Sequence, residues 1–262
     1  MTIKLKDQLG RTVFIPKKPL RIVSLVPSQT ELLISLGLEE QLVGITKFCV
    51  HPARLKQSKT KIGGTKKVNY QKIAALQPNI ILCNKEENTK EIVTTLEKDY
   101  AVHVSDIANL SDTYALITAY GKLFSCKEKA AEINYKINTA QSLFKEYIRD
   151  KPQKKVLYLI WRKPWMASGK GTFINHLMML NGFMNAIKTE ERYPQITTSE
   201  LQKMDVDLIL LSSEPFPFSK KHSAEIQQII PKATIKLVDG EFFSWYGSRL
   251  IKAFPYFKSL HI

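Results

Sequence analysis

Between Lys127 and Asp150 the chain runs for 24 residues without a glycine or a proline. Within this stretch Ala130, Ile133, Ile137, Ala140, Leu143, Phe144 and Tyr147 recur at helical spacing, with Lys and Glu between them. The spacing predicts one helix of about 36 Å, at 1.5 Å per residue, stopped by Pro152. A helix this long is about the length of a small lobe, and it divides the chain into two parts of similar size.

Both parts alternate between short apolar runs and helical stretches. In the first, Ile3 and Leu5, a turn at Asp7-Gln8-Leu9-Gly10, and Val13 and Ile15 predict a hairpin closed at Pro16. Strands follow at 21–26, 42–45, 79–83 and 101–104. Helices are expected from Ser28, with Glu31 completing a capping box and Gly37 at the end, from Asn69 to Leu76, from Asn88 to Leu96 and from Leu110 to Phe124. In the second, strands are expected at 155–160, 207–211 and 234–238. Helices are expected at 171–180, 199–204, 223–230 and 247–257. Strands alternating with helices imply an α/β chain with mostly parallel sheets. The expected organisation is a lobe at 1–125, a linking helix at 126–151 and a second lobe at 152–262.

Composition removes several classes. Three cysteines (Cys49, Cys83 and Cys126) in 262 residues do not make a disulfide framework. No apolar run reaches the roughly 20 residues that span a bilayer. The first residues, Met-Thr-Ile-Lys-Leu-Lys-Asp, lack the apolar core of an export signal, which leaves a cytoplasmic setting open. The formal charge of +15 favours anionic partners. Its basic residues are distributed along the chain without a recognition motif, so nucleic-acid binding is not expected.

The three tryptophans mark the candidate site. Trp161 and Trp165 follow the strand at 155–160, and Trp245, with Tyr246, follows the strand at 234–238. Open α/β sheets bind ligands beyond the carboxyl ends of their strands, and stiff flat rings suit a planar or macrocyclic ligand. The competing reading is that these rings fill the lobe core. Arg162, Lys163, Arg192 and Arg249 accompany them and suit carboxylates, phosphates or catecholates; a solvated basic surface is the alternative. In the first part, Ser28 lies at a helix start where free N–H groups favour anionic atoms, or is simply a cap. Phe48-Cys49-Val50-His51 offers a ring, a thiol and an imidazole, short of the three or four ligands a metal site needs. Ser168-Gly169-Lys170-Gly171-Thr172 has Pro164 and Gly171 where a phosphate loop needs Gly and Ser or Thr, so it reads as a turn into a helix. With no nucleophile elbow and no dinucleotide fingerprint, no catalytic residue, resident metal or intrinsic cofactor is expected.

Several segments, taken in order, resemble the iron-complex and cobalamin class of substrate-binding proteins of ABC importers. They are Arg21-Ile-Val-Ser-Leu-Val-Pro-Ser-Gln-Thr-Glu31, Val43-Gly-Ile45, Ile62-Gly-Gly64, Asn69-Tyr-Gln-Lys-Ile-Ala-Ala-Leu-Gln-Pro-Asn-Ile-Ile81 and Phe173-Ile-Asn175. The resemblance runs from about Lys4 to the C-terminus. It implies the fold of class III periplasmic binding proteins: two Rossmann-like lobes joined by a single long helix, with a ligand cleft between them. It also implies a metal chelate as ligand (ferric siderophore, cobalamin or haem), a permease as partner, a monomeric state and a periplasmic or cell-envelope setting. A cytoplasmic carrier of the same fold is the alternative. On this resemblance Ser28, Phe48, Trp161, Trp165, Arg192, Trp245, Tyr246 and Arg249 would meet the ligand, and Glu214 and Glu225 would dock on the permease. Two positions depart from the cobalamin-binding members. Gly63-Gly64-Thr65-Lys66-Lys67 stands where they carry a tryptophan, and Gln71 stands where they carry a docking glutamate.

Overall fold

A computed structural model of the chain describes residues 2–16 and 20–261. It divides into two compact units: 1–138 with Tyr246–Ile251, and Thr139–Trp245 with Lys252–Ile262. Among the described residues no helix is long and apolar enough to cross a membrane.

The first unit opens with the expected hairpin, β1 (Thr2–Lys6) antiparallel to β2 (Thr12–Pro16). Asp7 shapes its turn: Oδ1 accepts from the N–H groups of Leu9 and Arg11, and Gly10 takes the positive φ of 77° that closes it. Then come β3 (Ile22–Ser24), α1 (Pro27–Ser35), β4 (Leu42–Ile45), α2 (Leu55–Ser58), β5 (Thr60–Lys61), α3 (Tyr70–Ala75), β6 (Ile80–Asn84), α4 (Lys90–Leu96), β7 (Ala101–Ser105) and α5 (Leu110–Leu123). The sheet order is β5-β4-β3-β6-β7, every pair parallel. Val23, Leu25, Ile81, Cys83, Val102 and Val104 turn one face onto Ile73, Ile92, Val93 and Leu96 of α3 and α4. Both faces are covered, which is why the central strands read as unbroken apolar runs.

Helix α1 does not use the expected capping box. Its N-cap falls two residues earlier, at Val26, with Pro27 in the first turn and no side-chain cap. Proline's fixed φ and missing N–H suit the first helical position. Ser28 is thereby moved inside the helix with its Oγ buried, and Glu31 is released for another partner.

Helix α6 (Lys127–Ile148) has 22 residues, about 33 Å at 1.5 Å each. The boundary between the units falls inside it, after Asn138. Ala130, Ile133, Ile137 and Phe144 are buried as the spacing requires, whereas Leu143 is exposed, one step off the buried stripe. The division differs from 1–125, 126–151 and 152–262 in two respects. The helix is shared by both units, and Tyr246–Ile251 belongs to the first.

The second unit continues with β8 (Lys154–Trp161), β9 (Trp165–Ala167), α7 (Phe173–Leu180), β10 (Phe183–Asn185), β11 (Gln195–Ile196), α8 (Thr198–Gln202), β12 (Leu208–Ser212), α9 (Lys220–Ile229), β13 (Thr234–Val238), α10 (Glu241–Ser244) and α11 (Leu250–Phe257). Its sheet runs β11-β9-β8-β12-β13, with β10 also on β8. Strands β8, β10, β12 and β13 are parallel; β9 turns back antiparallel to β8 and carries β11. One face packs Leu157, Leu159, Ile209 and Leu211 against Leu201, Phe218 and Ile226. An aromatic cluster in the same unit joins Phe144 of α6 to Phe254 and Phe257 of α11, each with ring centroids 5.9 Å from it.

Candidate functional site

In each unit the parallel strands point their carboxyl ends the same way, and the candidate residues gather on the segments that leave those ends. In the first unit these are the starts of α1, the 46–49 turn and the residues after β6 and β7. A buried polar network lies here. Gln29 Nε2 donates to Ser105 Oγ (2.7 Å), Tyr246 OH (2.9 Å) and the Cys83 carbonyl (3.2 Å). Tyr120 OH donates to Gln29 Oε1 at 2.6 Å, and Asn84 Nδ2 donates to Ser105 Oγ at 3.0 Å. Burial pushes the phenols of Tyr120 and Tyr246 well above the ordinary tyrosine range, so both stay protonated.

The segment after Tyr246 is tied to the same unit. Arg249 Nε and Nη2 donate to the two carboxylate oxygens of Glu31 at 2.8 and 3.1 Å. Their side chains are only 7% and 15% exposed. Ser35 Oγ donates to Ser248 Oγ at 2.9 Å. Tyr246 and Arg249 thus hold structure together, and Ser28 is buried beside them.

Phe48 differs from these. It is half exposed on the turn after β4, with Lys47 Nζ 5.0 Å from its ring centre. Cys49, next to it, points inward, with Sγ 3.1 Å from Thr30 Oγ1 and 3.3 Å from Thr46 Oγ1. Burial raises its thiol pKa, which disfavours the thiolate a metal would need. Among the described residues no group of three or more His, Cys, Asp or Glu side chains is placed to hold a metal ion.

In the second unit the short antiparallel turn between β8 and β9 separates the two tryptophans. Trp161 ends β8 39% exposed, edge-on to Phe216. Trp165 begins β9, pairs in register with Ile196, and is buried with its ring parallel to that of Phe218. Trp165 is part of the core of this unit. Arg162, between them, donates through Nε and Nη2 to Glu225 on α9, both at 2.7 Å. This pairing lowers the Glu225 carboxyl pKa. Lys163 and Arg192 both have a φ of 64°. Arg192 is exposed, with its guanidinium 5.9 Å from the ring centre of Tyr193.

Trp245 is also buried. Its Nε1 donates to Glu214 Oε1 at 3.0 Å, and Ser244 Oγ donates to the same oxygen at 2.6 Å. Burial raises the Glu214 carboxyl pKa, helped by Glu241 and Asp239. Gly240 makes the fit possible: a Cβ there would lie 2.3 Å from Ser212 Oγ and 2.7 Å from Glu214 Cγ.

The expected site therefore separates into two groups. Phe48, Trp161 and Arg192 are open to solvent; Ser28, Trp165, Trp245, Tyr246 and Arg249 are buried. Of the expected docking acids, Glu225 keeps its side chain 34% exposed while paired, and Glu214 turns inward. Sequence reasoning singles out the Pro27-Ser28-Gln29 segment but missed Ser105 and Tyr120, which meet Gln29 across 76 and 91 residues of chain. It also missed Glu31 as the partner of Arg249. No local signal marks pairings at that separation.

Two α/β units with parallel sheets, joined through one long helix and presenting rings at strand ends, define a solute-binding class of fold. The chain belongs to the periplasmic binding protein family, whose pattern matches residues 22–238. Among curated relatives, it is 26% identical over 217 residues to an uncharacterized ABC transporter substrate-binding lipoprotein of Bacillus subtilis, covering 79% of this chain and 68% of that one. It is 22% identical to a vitamin B12-binding protein of Pectobacterium carotovorum, covering 90% and 86%. Among solved structures, a periplasmic heme-binding protein from Pseudomonas aeruginosa superposes with a TM-score of 0.83 at 19% identity, covering 93% of each chain. The periplasmic vitamin B12-binding protein of Vibrio cholerae does so with 0.75 at 16% identity, covering 91% and 95%. These structural likenesses show the fold.

Proposed function

We propose that the protein is the substrate-binding component of an ABC importer, and that its substrate is a metal chelate, a ferric siderophore or a corrinoid, passed to a membrane permease. Membership of the periplasmic binding protein family over residues 22–238 is the observation that carries this reading. The exposed rings of Phe48 and Trp161, each on a segment leaving the carboxyl end of a strand, support a flat or macrocyclic ligand. Exposed Arg192 supplies a cation for its anionic groups. Haem, which relatives of this fold bind by their names, belongs to the same panel of ligands. The proposal assigns no catalytic step. Docking on the permease rests on Glu225, whose carboxylate is paired with Arg162 yet keeps its side chain 34% exposed, rather than on Glu214, which is turned inward onto Ser244 and Trp245. The proposed setting is the cell envelope, a reading supported by membership of the periplasmic binding protein family and by a relative named a lipoprotein.

Tryptophan fluorescence tests the reading. Purified protein is titrated with cobalamin, cobinamide, haemin and ferric siderophores, with correction for ligand absorbance. Saturable quenching by one of them, weakened in Phe48→Ala and Trp161→Ala, is the expected result. A folded protein that responds to none of them refutes the substrate class.

A further inference from the structure

The acidic residues of this chain are distributed less evenly than the basic ones. From Gln41 to Lys85 there is no Asp or Glu, while eight lysines and one arginine occur. Forty-five residues therefore carry nine of the fifteen net positive charges. They all lie in the first unit, on the chain from β4 through α2, β5 and α3 to the end of β6.

Few of these charges are neutralised. Arg54 pairs with Glu39 and Lys85 with Asp106. Lys59 and Lys66 donate only to backbone carbonyls, those of Glu39 and Glu86, and so keep their net charge. Lys47, Lys56, Lys61, Lys67 and Lys72 are exposed and make no ion pair among the described residues. Backbone geometry holds these five along one margin. Strand β5 is the end strand of the sheet, with Lys61 beside Ile45 of β4. Lys56 precedes it on α2. Lys47 N–H donates to the Gly63 carbonyl, and Gly64 N–H donates to the Lys67 carbonyl, both at 2.8 Å. Asn69 N–H donates to the Ile62 carbonyl, and Lys72 N–H donates to Asn69 Oδ1. Tyr70, 40% exposed, lies among them.

We propose that this β5 margin adheres to the anionic phospholipid headgroups of a bilayer. The chemistry of the patch selects that occupant over an acidic protein. The unpaired cations are all lysines, point charges on flexible stems, and none forms the rigid fork with which arginine reads a fixed carboxylate. They are spread over helix, strand and loops instead of converging on a pocket, which suits a diffuse, laterally mobile array of negative charge. The exposed Tyr70 ring among them is the kind of side chain that settles at a headgroup boundary. Clusters of four to eight basic residues are the usual signature of such adhesion. A substrate-binding protein held this way would meet its permease on a surface rather than through bulk solution.

Sedimentation of the full chain with vesicles tests the proposal. The vesicles are phosphatidylglycerol and phosphatidylcholine in equal parts, with phosphatidylcholine alone for comparison. The protein is expected to partition onto the anionic vesicles at about 50 mM salt, to release at about 500 mM as screening shortens the reach of each charge, and to ignore neutral vesicles. Replacing four surface cations together, K56Q, K61Q, K67Q and K72Q, should lower partition by on the order of a few hundredfold. Removing four lysines of the second unit instead, K203Q, K220Q, K221Q and K232Q, should change it by no more than a few-fold. None of these side chains is buried, so both variants should retain the parent's circular dichroism. Equal losses in the two variants would show that net charge alone acts, and would overturn the proposal. So would equal partition onto neutral vesicles, or none onto anionic ones.

Discussion

Trp161 and Trp165 stand four residues apart and should respond to truncation in opposite ways. Trp165 is 7% exposed, stacked on Phe218 with ring planes 6° apart, within the core of the second unit. Replacing it by alanine removes about 200 Å² of buried surface, worth about 5 kcal/mol at about 25 cal/mol per Å². Measured large-to-small aromatic truncations fall at about 3–5 kcal/mol. At a urea slope of about 2–3 kcal/mol per molar, the Trp165→Ala midpoint should move down by about 1–2 M. Trp161, 39% exposed and touching Phe216 by its edge, should cost about 1 kcal/mol in stability. Its loss should fall instead on ligand affinity. Urea unfolding followed by circular dichroism, with binding measured on the same samples at low denaturant, separates the two. A Trp165→Ala variant as stable as the parent, or a Trp161→Ala variant that unfolds early and binds normally, would refute the placement of both rings.

Three other outcomes follow from buried charges. Glu31→Ala leaves the Arg249 guanidinium buried without its carboxylate, so stability should drop by about 3 kcal/mol; Glu31→Ala with Arg249→Leu should recover most of it, as read from urea midpoints. Burial in the first unit lowers the His103 pKa from 6.5 to about 4. On acidification the unfolded chain therefore takes up the proton first, and stability should fall by about 3 kcal/mol as pH drops from above 6.5 to about 4; His103→Asn should flatten that slope in melts run across the range. Glu214 has a raised pKa, so the folded state keeps its proton longer, and its contribution is lost as pH rises through the carboxyl range. Glu214→Gln keeps an oxygen for Ser244 and Trp245 and should make the variant more stable than the parent at neutral pH, with the gain vanishing near pH 4.

The sheets and the long helix are legible because their signals are local. Apolar runs such as Asn79–Cys83 and Lys155–Ile160 report strands covered on both faces. Asn69 caps α3 through the Lys72 N–H, as a side-chain oxygen at that position should. The expected start at Ser28 fails because Pro27 competes for the first turn and succeeds. The strands β9, β10 and β11 are only two or three residues long, too short for periodicity to register. The same shortness hid the reversal between Trp161 and Trp165, which sends one ring to solvent and the other to the core. Aromatic residues after strands identify the right segments, yet the sequence does not say which ring has a partner. Trp245 finds Glu214 and Trp165 finds Phe218, each becoming buried, while Phe48 beside Lys47 and Trp161 edge-on to Phe216 stay partly exposed.

Calorimetric titration of the folded protein with ferric siderophores, cobalamin and haemin, each in turn, tests the assignment of substrate most directly. The account predicts one-to-one binding of at least one chelate at micromolar affinity or tighter, weakened at least tenfold by Phe48→Ala or Trp161→Ala with the melting temperature preserved. Heat of dilution alone for every chelate, from protein shown to be folded in the same buffer, would contradict it.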